Sequence, residues 1–176
     1  FTPLSLLRIA ELAIEAGVPA GTLNIVNGRG RIGQQLIDHK DVSKVSFTGS
    51  VPTGIAVGKA AFNANLTRVT LELGGKNPAA FLADVDVDAA VEGILQTASV
   101  HQGQVCAAPE CLYIHRSKID AICEKLAERL GALKVGGALD ESAQFGPLAN
   151  QAHYDKILGF FARAKERQQV LCGGQP

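Results

Sequence analysis

"KVSFTGSVPTGIAVGKAAFNANLTRVTLEL", residues 44–73, is the stretch of sequence that decides the fold. Its two ends, Lys44–Gly49 and Arg68–Leu73, are short runs of strand type, and the longer run between them, rich in alanine and small apolar residues, predicts a helix. A strand, a helix and a second strand in this order form the unit from which parallel sheets with crossover helices are built.

The same alternation extends in both directions from this stretch. Upstream we expect a helix that ends near Gly17, a short buried strand at Thr22–Gly28 and a short helix at Arg31–His39. Downstream we expect a strand at Ala79–Ala83, a helix capped by Asp86, a strand at Cys111–His115, a helix capped by Ser117 and a last helix at about Asn150–Arg167. The glycines and the proline of "GGKNP", residues 74–78, interrupt the pattern as a linker or an active-site loop would. The fold class is therefore α/β.

Composition excludes several classes of function. The 17 basic and 17 acidic residues balance, which gives no electrostatic reason to expect a nucleic-acid or membrane-surface partner. No apolar run approaches the roughly 20 residues that span a bilayer, and the first residues lack the basic start of a signal peptide. The four cysteines form no C-x-x-C pair and fit no common zinc spacing, so we expect free thiols, no metal and a cytoplasmic location. The chain starts with Phe and ends in "VLCGGQP", which suggests a piece of a longer protein.

Two segments could carry a ligand or a reaction, and each also has an ordinary structural interpretation. Gly49, Ser50 and Gly54 follow a strand and open a helix, so their turn could receive a phosphate or simply begin the helix. Glu72 ends a strand on the face opposite Leu71 and Leu73. Its carboxylate is either solvated or, if partly desolvated, a general base near neutral pH.

Cys106 is the candidate nucleophile. It lies in a polar context of glycine and glutamine, off any clear apolar period, whereas Cys123 falls on the apolar stripe of a helix. An isolated cysteine is more often an incidental or buried thiol than a nucleophile. His101, five residues before Cys106, leaves open a cysteine–histidine hydrolase as a further alternative.

Three strings together resemble the NAD(P)-dependent aldehyde dehydrogenase superfamily in their order and spacing. They are "FTGS…G" at Phe47–Gly54, "LELGGKNP" at Leu71–Pro78 and "GQVC" at Gly103–Cys106. The similarity covers essentially the whole chain, but only about the middle third of a typical member. Within the family, "LTRVTLELGGKNPAAFL" and "HQGQVCAAPE" are most similar to phenylacetaldehyde dehydrogenases of aromatic catabolism.

The resemblance implies a fold and a reaction. Residues 1–73 would be the C-terminal part of a Rossmann-like, NAD(P)-binding domain, and residues 74–176 the N-terminal part of an α/β catalytic domain. Cys106 would attack the aldehyde to give a thiohemiacetal and then a thioester, with its own backbone N–H in the oxyanion hole. Glu72 would activate the water that releases the acid, and its presence favours hydrolysis over transfer to CoA.

The resemblance also implies cofactor contacts, partners and departures. Gly49, Ser50 and Gly54 would face the pyrophosphate of NAD or NADP, and Leu73 and Gly74 would lie near the nicotinamide. The parent enzyme would take a small aldehyde and form a homodimer or homotetramer, and the 176 residues alone would be inactive. The alternative is a truncated product that only binds a nucleotide or associates with other subunits. Cys111 stands where the family usually has arginine, and it could silence Cys106 through a disulfide.

Overall fold

The chain divides into two compact units, one ending at Gly74 and the other beginning at Gly75. The computed structural model describes residues 2–167 and 169–175. The division lies one residue beyond the domain boundary expected from the sequence, and the separate roles assigned to the two parts stay a prediction. No helix in the described part of the chain has the length and apolar character needed to cross a membrane.

The first unit contains a parallel pair of strands joined by a helix. Its elements are α1 (Leu4–Glu15), α2 (Gly30–Ile37), β1 (Lys44–Gly49), α3 (Val51–Asn65) and β2 (Arg68–Leu73). The register of the pair runs from Lys44 opposite Arg68 to Gly49 opposite Leu73. The last residues of both strands therefore lie side by side at one edge of the sheet, and α3 starts from that edge. The predicted α/β class is confirmed.

One face of this strand pair packs against α2 and α3. Ile37, Val57 and Ala61 are buried there, and they contact partly buried apolar residues of the strands and α3 at Val45, Phe47, Ala60 and Val69. Removing a valine or isoleucine side chain from water contributes about 1.5–3 kcal/mol, so even this small cluster fixes the helices on the sheet. Thr67, just before β2, is also buried, and its hydroxyl donates to the carbonyl of Val42, which satisfies this polar group.

The prediction of a strand at Thr22–Gly28 is wrong. These residues form turns and irregular backbone, and within the described residues no strand pairs with them. A strand needs a neighbour to complete its backbone hydrogen bonds, and an apolar run alone does not supply one.

The second unit repeats the parallel arrangement with different lengths. It contains β3 (Pro78–Phe81), α4 (Val87–Ala98), a 3₁₀ turn (Val100–Gly103), β4 (Cys111–Ile114), α5 (Ile119–Gly131) and α6 (Gln151–Arg167). β3 and β4 pair in parallel, with Pro78 opposite Cys111 and Phe81 opposite Ile114. The segment between the two strands therefore holds α4 and the stretch that includes Cys106.

The core of this unit lies between α4 and α5. Four buried residues of α4 recur at helical spacing and pack on Ile122, which is fully buried: Ala90, Val91, Ile94 and Leu95. Asp86 caps α4 as predicted, since its carboxylate accepts a 2.8 Å hydrogen bond from the N–H of Ala89. The predicted cap of α5 is wrong because the hydroxyl of Ser117 shares a 2.9 Å hydrogen bond with Nδ1 of His115 and the helix begins after Lys118.

Candidate active site

The turn between β1 and α3 has the donors that an anion requires. Ser50 is the N-cap of α3, and its Oγ accepts from the N–H of Thr53 at 3.4 Å and shares a 2.8 Å hydrogen bond with the Thr53 hydroxyl. Pro52 has no N–H, and the N–H of Gly54 donates to the Ser50 carbonyl. Because one of the two hydroxyl groups donates to the other, the turn offers an incoming anion one hydroxyl proton and the N–H of Val51. These donors lie at the positive end of a helix whose first turn holds no acidic residue.

Gly54 and Leu73 pack closely against each other. Gly54 is buried, and a Cβ at this position would lie 2.4 Å from Cδ2 of Leu73. Glycine thus lets the first turn of α3 approach the end of β2. This packing accounts for glycine at position 54, while the cofactor contact expected for Gly54 stays a prediction. Gly49, whose Cβ would meet the ring of Phe47 at 2.5 Å, lies opposite Leu73 in the strand register.

Glu72 is exposed at the carboxyl end of β2 and lies opposite Thr48 of β1. Leu73 contacts the face of α3, as does Leu71, whose Cδ1 would lie 3.7 Å from a Cβ on Gly58. Strand alternation therefore directs the Glu72 carboxylate to the opposite face, as predicted. Gly74, next along the chain, is exposed and would have no atom within 4 Å of an added Cβ. Its expected place near the nicotinamide stays a prediction.

In the second unit, Cys106 lies on an exposed loop, and the residues just before it have an unusual backbone conformation. His101, Gln102 and Gly103 have φ values of 52°, 57° and 73°, three consecutive residues in the left-handed region. Such backbone costs roughly 1–2 kcal/mol at each non-glycine residue, so surrounding contacts must hold it in place. The chain then turns at Val105–Ala108, where the N–H of Ala108 donates to the Val105 carbonyl at 3.0 Å. Cys106 is exposed in this turn and Ala108 is buried.

Asn77 fixes the backbone of this loop, and the sequence did not single it out. Its Nδ2 donates to the carbonyl of Cys106 at 2.6 Å and to the carbonyl of Ala108 at 3.0 Å. Its own carbonyl accepts from the N–H groups of Glu110 and Cys111. The signal available in the sequence was "GGKNP", which suited an active-site loop, but the partners lie 29 and 31 residues further along the chain.

All four cysteines are free thiols. Cys106 and Cys172 are exposed, whereas Cys111 and Cys123 are half-buried. The disulfide considered between Cys106 and Cys111 is not formed. The thiol of Cys111 lies two residues before Tyr113 on β4, and its interaction with the tyrosine hydroxyl raises the pKa of that hydroxyl.

His101 contributes to the loop through its backbone. Its carbonyl accepts from both the N–H and the side-chain amide of Gln104, each at 3.1 Å. Among the described residues no hydrogen bond joins its imidazole to Cys106. Within residues 2–167 and 169–175, no group of three His, Cys, Asp or Glu side chains is placed to hold a metal ion.

An open cleft of about 1090 Å³ lies in the second unit, beside α6. Its wall includes Gln102–Gln104, which precede Cys106, and Gly146–Asn150, which precede α6. Cys106 is not among the residues of this wall. The cleft therefore contacts the segment before Cys106 and does not contain the candidate nucleophile itself.

A family model and the curated relatives of this chain indicate the same protein family. The model described as "Aldehyde dehydrogenase family" matches residues 1–176. The chain is 43% identical over 175 residues to 4-trimethylaminobutyraldehyde dehydrogenase of Sus scrofa, covering 99% of the chain and 35% of that relative. It therefore spans about a third of the length of the curated relatives that it matches.

Solved structures agree with this result. PnpE from Pseudomonas sp. WBC-3 superposes with a TM-score of 0.95 at 38% identity, over 99% of this chain and 36% of that one. PnpE has also been solved in complex with nicotinamide adenine dinucleotide. Betaine aldehyde dehydrogenase of Staphylococcus aureus in complex with NAD⁺ gives a TM-score of 0.92 at 38% identity, covering 99% of this chain and 35% of that one.

Proposed function

Because the chain belongs to the aldehyde dehydrogenase family, we propose that its residues serve the NAD-dependent oxidation of an aldehyde to a carboxylic acid. The observation that carries this proposal is the exposed thiol of Cys106 on a loop whose backbone Asn77 holds through two hydrogen bonds. A nucleophile must be accessible and well oriented, and this loop provides both properties.

Cys106 forms the covalent intermediate. Its thiolate sulfur bonds to the aldehyde carbon, and the oxygen of the resulting thiohemiacetal carries the negative charge that a backbone N–H at Cys106 stabilises. Loss of hydride from that carbon leaves a thioester on Cys106.

Glu72 is the general base for the second half of the reaction. Its carboxylate takes a proton from water while the water oxygen bonds to the thioester carbon, and the Cys106 thiolate then leaves as the acid is released. Glu72 is exposed on the face of β2 opposite α3. The support for this role is its place in "LELGGKNP", the string that resembles the glutamate motif of the family.

The turn at Ser50 would hold the pyrophosphate of the cofactor. The hydroxyl that is left free by the Ser50–Thr53 hydrogen bond and the Val51 N–H are donors, and the first turn of α3 holds no carboxylate that would repel a phosphate. When bound, NAD supplies the acceptor for the hydride. The complex of PnpE with NAD supports the choice of NAD, and NADP is the alternative.

An aromatic aldehyde such as phenylacetaldehyde is the substrate that we propose from the sequence resemblance. A trimethylammonium aldehyde is the second candidate, supported by the 43% identity to 4-trimethylaminobutyraldehyde dehydrogenase. The two differ in charge and shape, so the ratio of their kcat/KM values separates them. A ratio above ten in favour of the charged aldehyde would contradict the aromatic assignment.

The remaining proposals concern the assembly and the setting of the protein that carries this chain. We propose a cytoplasmic homodimer or homotetramer that takes a small aldehyde and no nucleic acid or membrane partner. The alternative function is a product that binds a nucleotide or associates with subunits without catalysis. Measurable NAD binding without NADH formation would favour that alternative.

The decisive experiment for Cys106 compares two cysteine variants. In the protein that carries this chain, NADH formation from an aldehyde and NAD is followed by absorbance. Cys106→Ala removes the sulfur that bonds to the aldehyde and is expected to lower kcat at least about 10⁴-fold. Cys172→Ala, which removes another exposed thiol, is expected to retain the activity. Full turnover of Cys106→Ala would refute the proposal.

Glu72 is tested separately. Glu72→Gln keeps the size of the side chain but cannot accept the proton, so we expect one rapid turnover to the thioester followed by hydrolysis at least about 10²-fold slower. Glu124→Gln on the exposed face of α5 is the matched control. Unchanged steady-state hydrolysis in Glu72→Gln would assign the base to another residue.

A further inference from the structure

We propose that Asn77 is a positioning residue that sets the orientation of the Cys106 nucleophile; this inference rests on the proposed function of Cys106. Asn77 does not touch the reacting atoms. It acts through the backbone of the loop that carries them.

The side-chain amide of Asn77 donates both of its N–H groups to carbonyls of this loop. One N–H goes to the carbonyl of Cys106 at 2.6 Å, and the other goes to the carbonyl of Ala108 at 3.0 Å. Both partners are carbonyl oxygens, which only accept, so the side chain at position 77 must donate twice. Few side chains of this length can do so.

The backbone around Asn77 holds the far end of the same loop. The N–H groups of Glu110 and Cys111 donate to the Asn77 carbonyl at 2.9 and 3.1 Å. The ammonium group of Lys76 lies 2.7 Å from the Glu110 carboxylate, and Pro78 pairs with Cys111 as the strands begin. The segment from Cys106 to Cys111 is thus tied at both ends to Asn77, and at its far end also to Lys76 and Pro78.

These contacts act on the thiol through a rigid geometry. Fixing the Cys106 carbonyl fixes the peptide plane that follows its Cα, and this restrains the ψ torsion through which the bond from Cα to Cβ is oriented. The neighbouring anchor at Ala108 is buried, so the turn cannot rotate as a unit without exposing that residue. An error of about 1 Å in the position of a reacting group can cost about 10²-fold in rate.

A graded series of variants at position 77 tests the inference. Asn77→Asp keeps the shape but faces the two carbonyls with a carboxylate, Asn77→Ala removes both donors, and Asn77→Ser retains one hydroxyl donor. We expect kcat to fall about 10²-fold in the first two and less in Asn77→Ser, with the aldehyde KM within about threefold. Asn24→Ala, which removes an amide that donates 2.7 Å to the Gly21 carbonyl of a surface turn, is the matched control.

Hydrogen exchange supplies a readout that does not depend on activity. The N–H groups of Ala108, Glu110 and Cys111 are bonded in the wild type, and in Asn77→Ala we expect peptides covering them to exchange at least about tenfold faster. Peptides of α5 should exchange at the wild-type rate. Unchanged loop exchange, unchanged kcat, or a loss of activity accompanied by faster exchange throughout the second unit would each overturn the inference.

The two proposals can fail separately. If the wild-type protein oxidises no aldehyde, the proposed function fails, and the exchange experiment still shows whether Asn77 orders the loop. If the wild type is active and the position-77 variants match it in kcat, the positioning role alone is refuted.

Discussion

Leu73 at the end of β2 fills the space that a side chain on Gly54 of α3 would need, since a Cβ there would lie 2.4 Å from its Cδ2. The first turn of α3 and the end of β2 are therefore in close contact next to Glu72. Any residue larger than glycine at position 54 must displace Leu73 or tilt the first turn of α3.

The first prediction compares two glycines of the same helix. Gly54→Ala and Gly58→Ala gain the same helix propensity, about 1 kcal/mol, but a Cβ on Gly58 makes only an ordinary 3.7 Å contact with Leu71. We expect Gly58→Ala to be more stable than Gly54→Ala by about 1–3 kcal/mol in urea denaturation. Equal stability would show that Leu73 moves aside without cost.

The second prediction concerns the cap of α4. Asp86→Ala removes the 2.8 Å acceptor of the Ala89 N–H at the start of the helix that carries most of the second core. We expect a loss of about 1 kcal/mol in the free energy of unfolding, measured by thermal denaturation. Asp84→Ala, which removes an exposed carboxylate two residues earlier, should stay within about 0.5 kcal/mol of the wild type.

The third prediction is a dependence of stability on pH at Asp140. Hydrogen bonds from the hydroxyl and the N–H of Ser142, and then from Lys134, hold the pKa of this carboxyl below its ordinary value. A lowered pKa stabilises the fold above the unfolded-state pKa of about 4, and the contribution is lost as pH falls through the folded value. Between about pH 5 and about pH 3, the melting temperature of Asp140→Asn should therefore decrease less than that of the wild type. An identical decrease in both proteins would contradict the assignment.

The fourth prediction uses the reactivity of the cysteines. Cys106 and Cys172 are exposed, whereas Cys111 and Cys123 are half-buried, so iodoacetamide should modify the first pair faster in the folded chain. Mass spectrometry of peptides after timed quenching measures each rate. All four should react at similar rates in denaturant. Modification of Cys123 as fast as Cys172 under native conditions would show that α5 is not packed as described.

Local patterns in the sequence identified the elements that depend on local interactions. β1, α3 and β2 follow from alternation and helical spacing, and the Asp86 cap follows from a carboxylate placed three residues before its N–H donor. The strand at Thr22–Gly28 failed because a strand also depends on a neighbour that the local sequence does not reveal. Ser117 failed as a cap because the adjacent imidazole of His115 takes its hydroxyl.

The candidate site was predictable to a different extent. The motif strings singled out Glu72 and Cys106, and their roles stay predictions. Asn77 could not be identified as the partner of Cys106, because an asparagine bound to two distant carbonyls leaves no periodicity and no matching side chain in the sequence. Backbone acceptors are the same at every residue, so only the folded geometry reveals which of them are used.

The tie between Asn77 and the loop also bears on the order in which this protein folds. Contacts separated by about 30 residues form only after the intervening chain has closed on itself, which is slower than forming a helical turn. α4 can nucleate early from its own cap, but the Cys106 loop reaches its native shape only when β3 and β4 have paired. We therefore expect the thiol to acquire its working geometry late, so that a nascent or partly unfolded chain carries an ordinary cysteine in place of a prepared nucleophile.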